Sequence, residues 1–132
     1  MKFAAFLTFW LYIGFAQAQT KPCDPFDFVC NREHRMAVAK KLKTIEPQLR
    51  RLDRETYRRY NWPAPINTAG QFRASQKLWL KFAEADCRFE SEPMSVSQGS
   101  GYGRAYERCM AQMYDKRLAQ VEEMIRSLQK DE

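Results

Sequence analysis

Apolar residues recur along most of this chain at steps of three and four, and nowhere do they alternate with period two for long enough to make a strand. The expected fold is all-α, a small antiparallel helical bundle. In residues 31–60 the inward stripe reads Met36, Ala39, Leu42, Ile45, Leu49 and Leu52, on a background of Arg, Lys and Glu that favours helix. Pro47 interrupts it. Either it kinks one long helix, or it sits in the first turn of a second one with Thr44 as N-cap and Glu46 beside it; both versions turn the same face inward. Asn61-Trp62-Pro63-Ala64-Pro65 is a stop, and Asn67 or Thr68 can cap the helix that follows.

That helix is expected from about Thr68 to Glu90, with Phe72, Ser75, Trp79, Phe82 and Ala83 inward. Ser91 to Gly101, carrying Pro93, two glycines and four serines, reads as a loop. The last helix is expected from about Tyr102 to Leu128. Its stripe is Tyr102, Tyr106, Cys109, Met113, Val121, Met124 and Leu128, with Arg117 inside it.

The first residues carry a different pattern. Lys2 precedes an apolar run from Phe3 to Phe15, and Ala16-Gln17-Ala18 supplies the small-x-small site of a signal peptidase. Residues 1–18 are thus expected to be a cleaved signal peptide and 19–132 one helical domain, periplasmic or secreted. The run falls short of the roughly 20 apolar residues of a membrane span, and Cys23 does not follow a small apolar lipobox, so no stable membrane anchor is expected after cleavage.

All four cysteines, Cys23, Cys30, Cys87 and Cys109, lie beyond that site, and an even number in a small exported chain argues for two disulfides. Three connectivities are open, and the local one is preferred. Bridging Cys23 to Cys30 requires a turn, because seven residues of helix span about 10 Å whereas bridged Cα atoms sit about 4.4 to 6.8 Å apart. Asp24-Pro25 can start it. Bridging Cys87 to Cys109 would fasten the end of one helix to the start of the next. Zinc is disfavoured by the lack of a C-x-x-C and by the presence of one histidine, His34. No cofactor is expected.

The formal charge is +6, or about +5 without Lys2. That suits contact with an anionic wall polymer, a lipid headgroup or an acidic protein, or simply a solvated surface. The Arg50-Arg51-Leu52-Asp53-Arg54 run with Arg58-Arg59 is interleaved with acids and reads as a solvated helix face. No basic stripe interleaved with aromatics points to nucleic acid.

Catalysis finds little support: His34 has no evident partner, and no glycine loop cradles a phosphate. The residues that draw attention are structural. Trp79 to Cys87 and Cys109 to Arg117 are both eight apart, each pair on about one helix face. Trp79, Asp86 and Arg117 are expected to form a brace in which Asp86 neutralises Arg117, with Glu84 and Glu90 as alternatives, since an unpaired buried charge is costly. The enclosed loop is the expected binding element, with Glu92, Met94, Ser95, Ser97, Gln98 and Tyr102 as its contact residues.

Gln76-x-x-Trp79, the two spacings of eight, and Val121 four residues beyond Arg117 together resemble the LprI-like lysozyme-inhibitor domain, over roughly residues 30 to 125. The resemblance implies a small exported helical protein whose partner is lysozyme or another envelope protein, and no enzyme. Three features depart from the family's habit: Ala83 stands where an Arg is frequent, Tyr114 where Thr is frequent, and Leu52-Asp53 with Tyr57 match a Leu-Asn pair and a Tyr only loosely. Many lysozymes are basic, so a chain of this charge would approach one without help from electrostatic steering. The alternative is an envelope interaction protein: a wall-polymer binder, an adaptor or an immunity protein.

Overall fold

A computed structural model describes residues 22–61, 66–96 and 101–130. The expected signal peptide and most of the Asn61–Pro65 stop lie outside the described residues. Four α-helices follow one another: α1 Phe28–Lys43, α2 Ile45–Tyr60, α3 Thr68–Ser91 and α4 Gly101–Lys130, with a 3-10 turn at Glu92–Val96. No strand occurs among the described residues. The fold is the expected all-α bundle with two disulfides, Cys23–Cys30 and Cys87–Cys109.

Each boundary has a local cause. The leader turns at Asp24, whose carboxylate accepts from the Phe26 N–H and whose carbonyl accepts from the Asp27 N–H. This brings the Cα atoms of Cys23 and Cys30 to 5.7 Å. Asp27 then caps α1 by accepting from the Cys30 N–H. Between α1 and α2, Pro47 lacks the N–H that would bond to the Lys43 carbonyl, and its ring excludes that carbonyl, so one helix ends at Lys43 and another starts at Ile45. Thr44 sits between them, yet its hydroxyl donates back to the Lys41 carbonyl instead of capping α2.

The α2 helix closes at Asn61 in the left-handed region, φ 45°. Asn67 caps α3 by accepting from the Gly70 N–H at 3.0 Å. Asp53 on α2 accepts from the Ala69 N–H, tying the start of α3 to its neighbour.

The long α4 is the organising element, packed against α1 on one side and α3 on the other, while α2 packs on α3. The contacts Cys87–Cys109, Trp79–Tyr114 and Gln76–Arg117 run α3 and α4 antiparallel. Glu46–Arg73 and Asp53–Ala69 do the same for α2 and α3.

The inner faces are rotated slightly from those expected. Met36, Phe82, Met124 and Leu128 are exposed, and Ser75 is too. In their place Val38, Ala69, Cys87, Ala105, Met110, Tyr114 and Ile125 join Leu42, Ile45, Leu49, Phe72, Ala83, Cys109 and Val121 in the core. Ala83, expected inward, is sealed in the core, and small residues at Ala105 and Ala111, absent from the expected stripe, likewise let the helices approach closely.

Candidate functional site

The α3–α4 pair with its connecting turn assembles most of the residues singled out above. The bridge holds the Cα atoms of Cys87 and Cys109 at 5.5 Å, and both side chains are buried. Counting outward from it on antiparallel helices, the eighth residue before Cys87 meets the eighth after Cys109. The two equal spacings are therefore the two strands of one interhelical ladder. Arg117 lies over the Trp79 ring, 5.8 Å from its centroid. Its Nε donates to Gln76 Oε1 at 3.0 Å, Nη2 to Ser75 Oγ at 2.8 Å, and Nη1 to Gln120 Oε1 at 2.9 Å. Gln76, Trp79 and Arg117 thus meet directly.

Asp86 does not join them. It is one residue from Cys87, a turn of about 100° on a helix, and so faces solvent at the bridge while Arg117 lies two turns down the bundle. Neither Glu84 nor Glu90 takes its place. The guanidinium is held by amide and hydroxyl oxygens and an aromatic face, with no carboxylate, and burial lowers its pKa from the usual arginine value.

Two further features had no signal in the sequence. Tyr114 packs edge-on against Trp79, centroids 5.0 Å apart and rings at 85°, filling the space that a Thr at that position would leave open. Burial raises its pKa. On the other flank of α4, Arg35 of α1 makes a two-pronged ion pair with Glu107, Nε–Oε2 2.7 Å and Nη2–Oε1 3.0 Å, whose hydrogen bond raises the arginine pKa further. Glu107 is 7% exposed. The two residues are 72 positions apart, and no spacing rule joins them. His34, which had no evident partner, pairs with Asp115 at 2.8 Å on the surface. An open groove of about 610 Å3 passes beside that pair, between the Cys23–Cys30 turn and α4.

The expected loop is shorter than its sequence suggested. Ser91 is the last residue of α3 and wholly buried, its hydroxyl without a hydrogen-bond partner among the described residues, one turn beyond Cys87. Glu92, Met94 and Ser95 lie in the 3-10 turn with exposed side chains, and Val96 at its end is 87% exposed. This turn packs on both α3 and α4. Ser97 and Gln98 lie outside the described residues. Tyr102, in the first turn of α4, stacks on Tyr106 with centroids 6.2 Å apart. The arrangement presents a short exposed turn on a base fixed by a disulfide.

Among the described residues no cluster of His, Cys, Asp or Glu is placed to hold a metal ion, and no helix is long and apolar enough to cross a membrane. No curated protein and no solved structure matches the chain. A family profile described as lysozyme inhibitor LprI matches residues 28–121, from the first residue of α1 to the buried Val121 of α4, and so spans the whole Trp79–Cys87–Cys109–Arg117 ladder. The chain belongs to the lysozyme inhibitor LprI family.

Proposed function

We propose that this protein is exported and acts by binding a protein target, a lysozyme-type enzyme, through the turn between Cys87 and Cys109 and the segment that follows it. The observation that carries the reading is the pairing of family membership with the geometry of that turn: an exposed 3-10 turn ending in Val96, its base fixed by a buried bridge. A turn held in this way loses little conformational freedom on docking, which favours affinity from a small contact. Glu92, Met94, Ser95, Ser97, Gln98 and Tyr102 are its proposed contact residues. Trp79 and Arg117 serve as the brace that fixes α3 against α4, since their contacts are made to each other and to Gln76 and Ser75. The protein is not an enzyme on this reading. Two disulfides and the N-terminal apolar run support export.

The test is titration of a lysozyme with oxidised protein, beside a variant lacking residues 97–100. Inhibition that saturates at stoichiometric protein and is lost in the deletion supports the reading. Full lysozyme activity at excess protein overturns it. A second reading rests on the arginines exposed along α2, Arg54 and Arg58 among them. An envelope protein held by such charges would sediment with purified wall polymer and be released as salt is raised.

A further inference from the structure

The face of α3 turned away from the core carries three large apolar side chains in one line: Leu78, Phe82 and Phe89, at 68%, 60% and 81% exposure. With Ser75 and Ala85 they recur at alternating steps of three and four. That is the seam of a coiled coil, with Phe82 and Phe89 at a positions and Leu78 and Ala85 at d positions. The protein's own helices do not need this face, because α2 and α4 cover the opposite one, where Phe72, Ala83 and Cys87 are buried. A contiguous apolar line on a folded surface marks an interaction site.

We propose that this face is a self-association surface, on which α3 of a second copy packs parallel and in register. Charge selects both the occupant and its direction. Lys81 and Arg88 flank the seam on one side, at g positions, and Asp86 flanks it on the other, at e. Lys81 and Asp86 are exposed, and neither is engaged by another side chain of the described residues. In a parallel pair a g residue faces the e residue five further along the second helix, so Lys81 meets Asp86 of the second copy, twice by symmetry. An antiparallel pair would set the Lys81 and Arg88 edges against each other, like charge on like.

The three large side chains offer about 400 Å2 of apolar surface per copy. With the flanks this reaches about 600 Å2, the lower bound of specific interfaces. The dimer is accordingly weak, dissociating in the micromolar range. Its parallel geometry brings both Cys87–Cys109 turns to the same end.

Sedimentation equilibrium of the oxidised protein from roughly 1 to 500 μM, a range that brackets such an affinity, tests this. The expected result is a mass that rises from monomer to dimer. Phe82→Glu should abolish the rise without altering the melting temperature of the dilute protein, because the ring is exposed in the monomer. Lys81→Glu should weaken association about tenfold, by turning two attractions into two repulsions. Lys81→Glu with Asp86→Lys should restore it. A parent protein that stays monomeric throughout, a dimer that survives Phe82→Glu, or a charge-reversed double variant that stays dissociated overturns the proposal.

Discussion

Replacing Arg117 with Met separates a brace from a binding residue. The substitution keeps a long, flexible apolar stem and removes the guanidinium. Lost are two hydrogen bonds to α3, to Gln76 and Ser75, each worth about 1 kcal/mol net for a part-exposed group, and the contact with the Trp79 face, about 0.5 to 1 kcal/mol. The bond to Gln120, three residues on in the same helix, adds only about 0.3 kcal/mol. Against these stands the relief of burying a cation, the same burial that lowers the Arg117 pKa, together with about 1 kcal/mol from the apolar stem that replaces it. The net expected loss is about 1 to 2 kcal/mol, which for a domain of this size lowers the melting temperature by roughly 4 to 10 °C. Urea unfolding followed by circular dichroism gives the stability, and lysozyme inhibition measured well below both melting temperatures gives the function. Inhibition should be unchanged. Arg117→Lys should recover less than half of the loss, because an ammonium cannot reproduce the fork. A Met variant as stable as the parent that no longer inhibits would show that Arg117 touches the target, and would refute the brace.

The remaining predictions concern the scaffold. Replacing Cys87 and Cys109 together with Ser should cost about 3 kcal/mol, read as a lower urea midpoint, by releasing a 22-residue separation in the unfolded chain. Arg35→Met should cost about 2 to 3 kcal/mol by leaving the Glu107 carboxylate buried and unpaired, and adding Glu107→Leu should recover most of it. A side chain at Gly70 would collide with the Asn67 amide that caps α3, so Gly70→Ala trades its helix propensity against the cap and should be near neutral; in an Asn67→Ala background the same change should stabilise. The Glu46 carboxyl is held below its usual value chiefly by the hydrogen bond from Arg73. Its contribution is therefore present above the ordinary carboxylate range and is lost as pH falls through the lowered pKa, and Glu46→Gln should flatten that part of the acid limb.

The period of the apolar pattern, the stop codes and the cysteine spacing are enough to read the bundle and to prefer its two local bridges, because each is set by residues close in sequence, while at Pro47 they leave a kink and a break open and the structure shows the break. What escaped depends on how helices are rotated against one another. Adjacency to the bridge points to Asp86 as the partner of Arg117. In an antiparallel pair, distance from the bridge sets the register, and that distance points to Trp79, with Gln76 one helical turn further along α3. Helical spacing places both Phe82 and Ala83 on the inner face. Only the small Ala83 is sealed in the core, and Phe82 beside it is left outside. Glu107 and Arg35, far apart in the chain and each an ordinary helix residue, become a buried pair only once α1 lies along α4. Ser91 read as loop by composition, yet it ends α3 beneath the turn.

In the proposed function, a disulfide-fixed turn on a braced helix pair docks onto a lysozyme. Titrating enzyme activity with oxidised protein, in parallel with Val96→Asp, which changes an 87% exposed apolar side chain of that turn, tests it most directly. The account predicts activity that falls to a plateau at stoichiometric protein, and a Val96→Asp variant that folds as the parent does but needs at least about tenfold more protein for the same inhibition. Equal inhibition by parent and variant would move the contact off the turn, and undiminished activity at large excess of the parent would contradict the account itself.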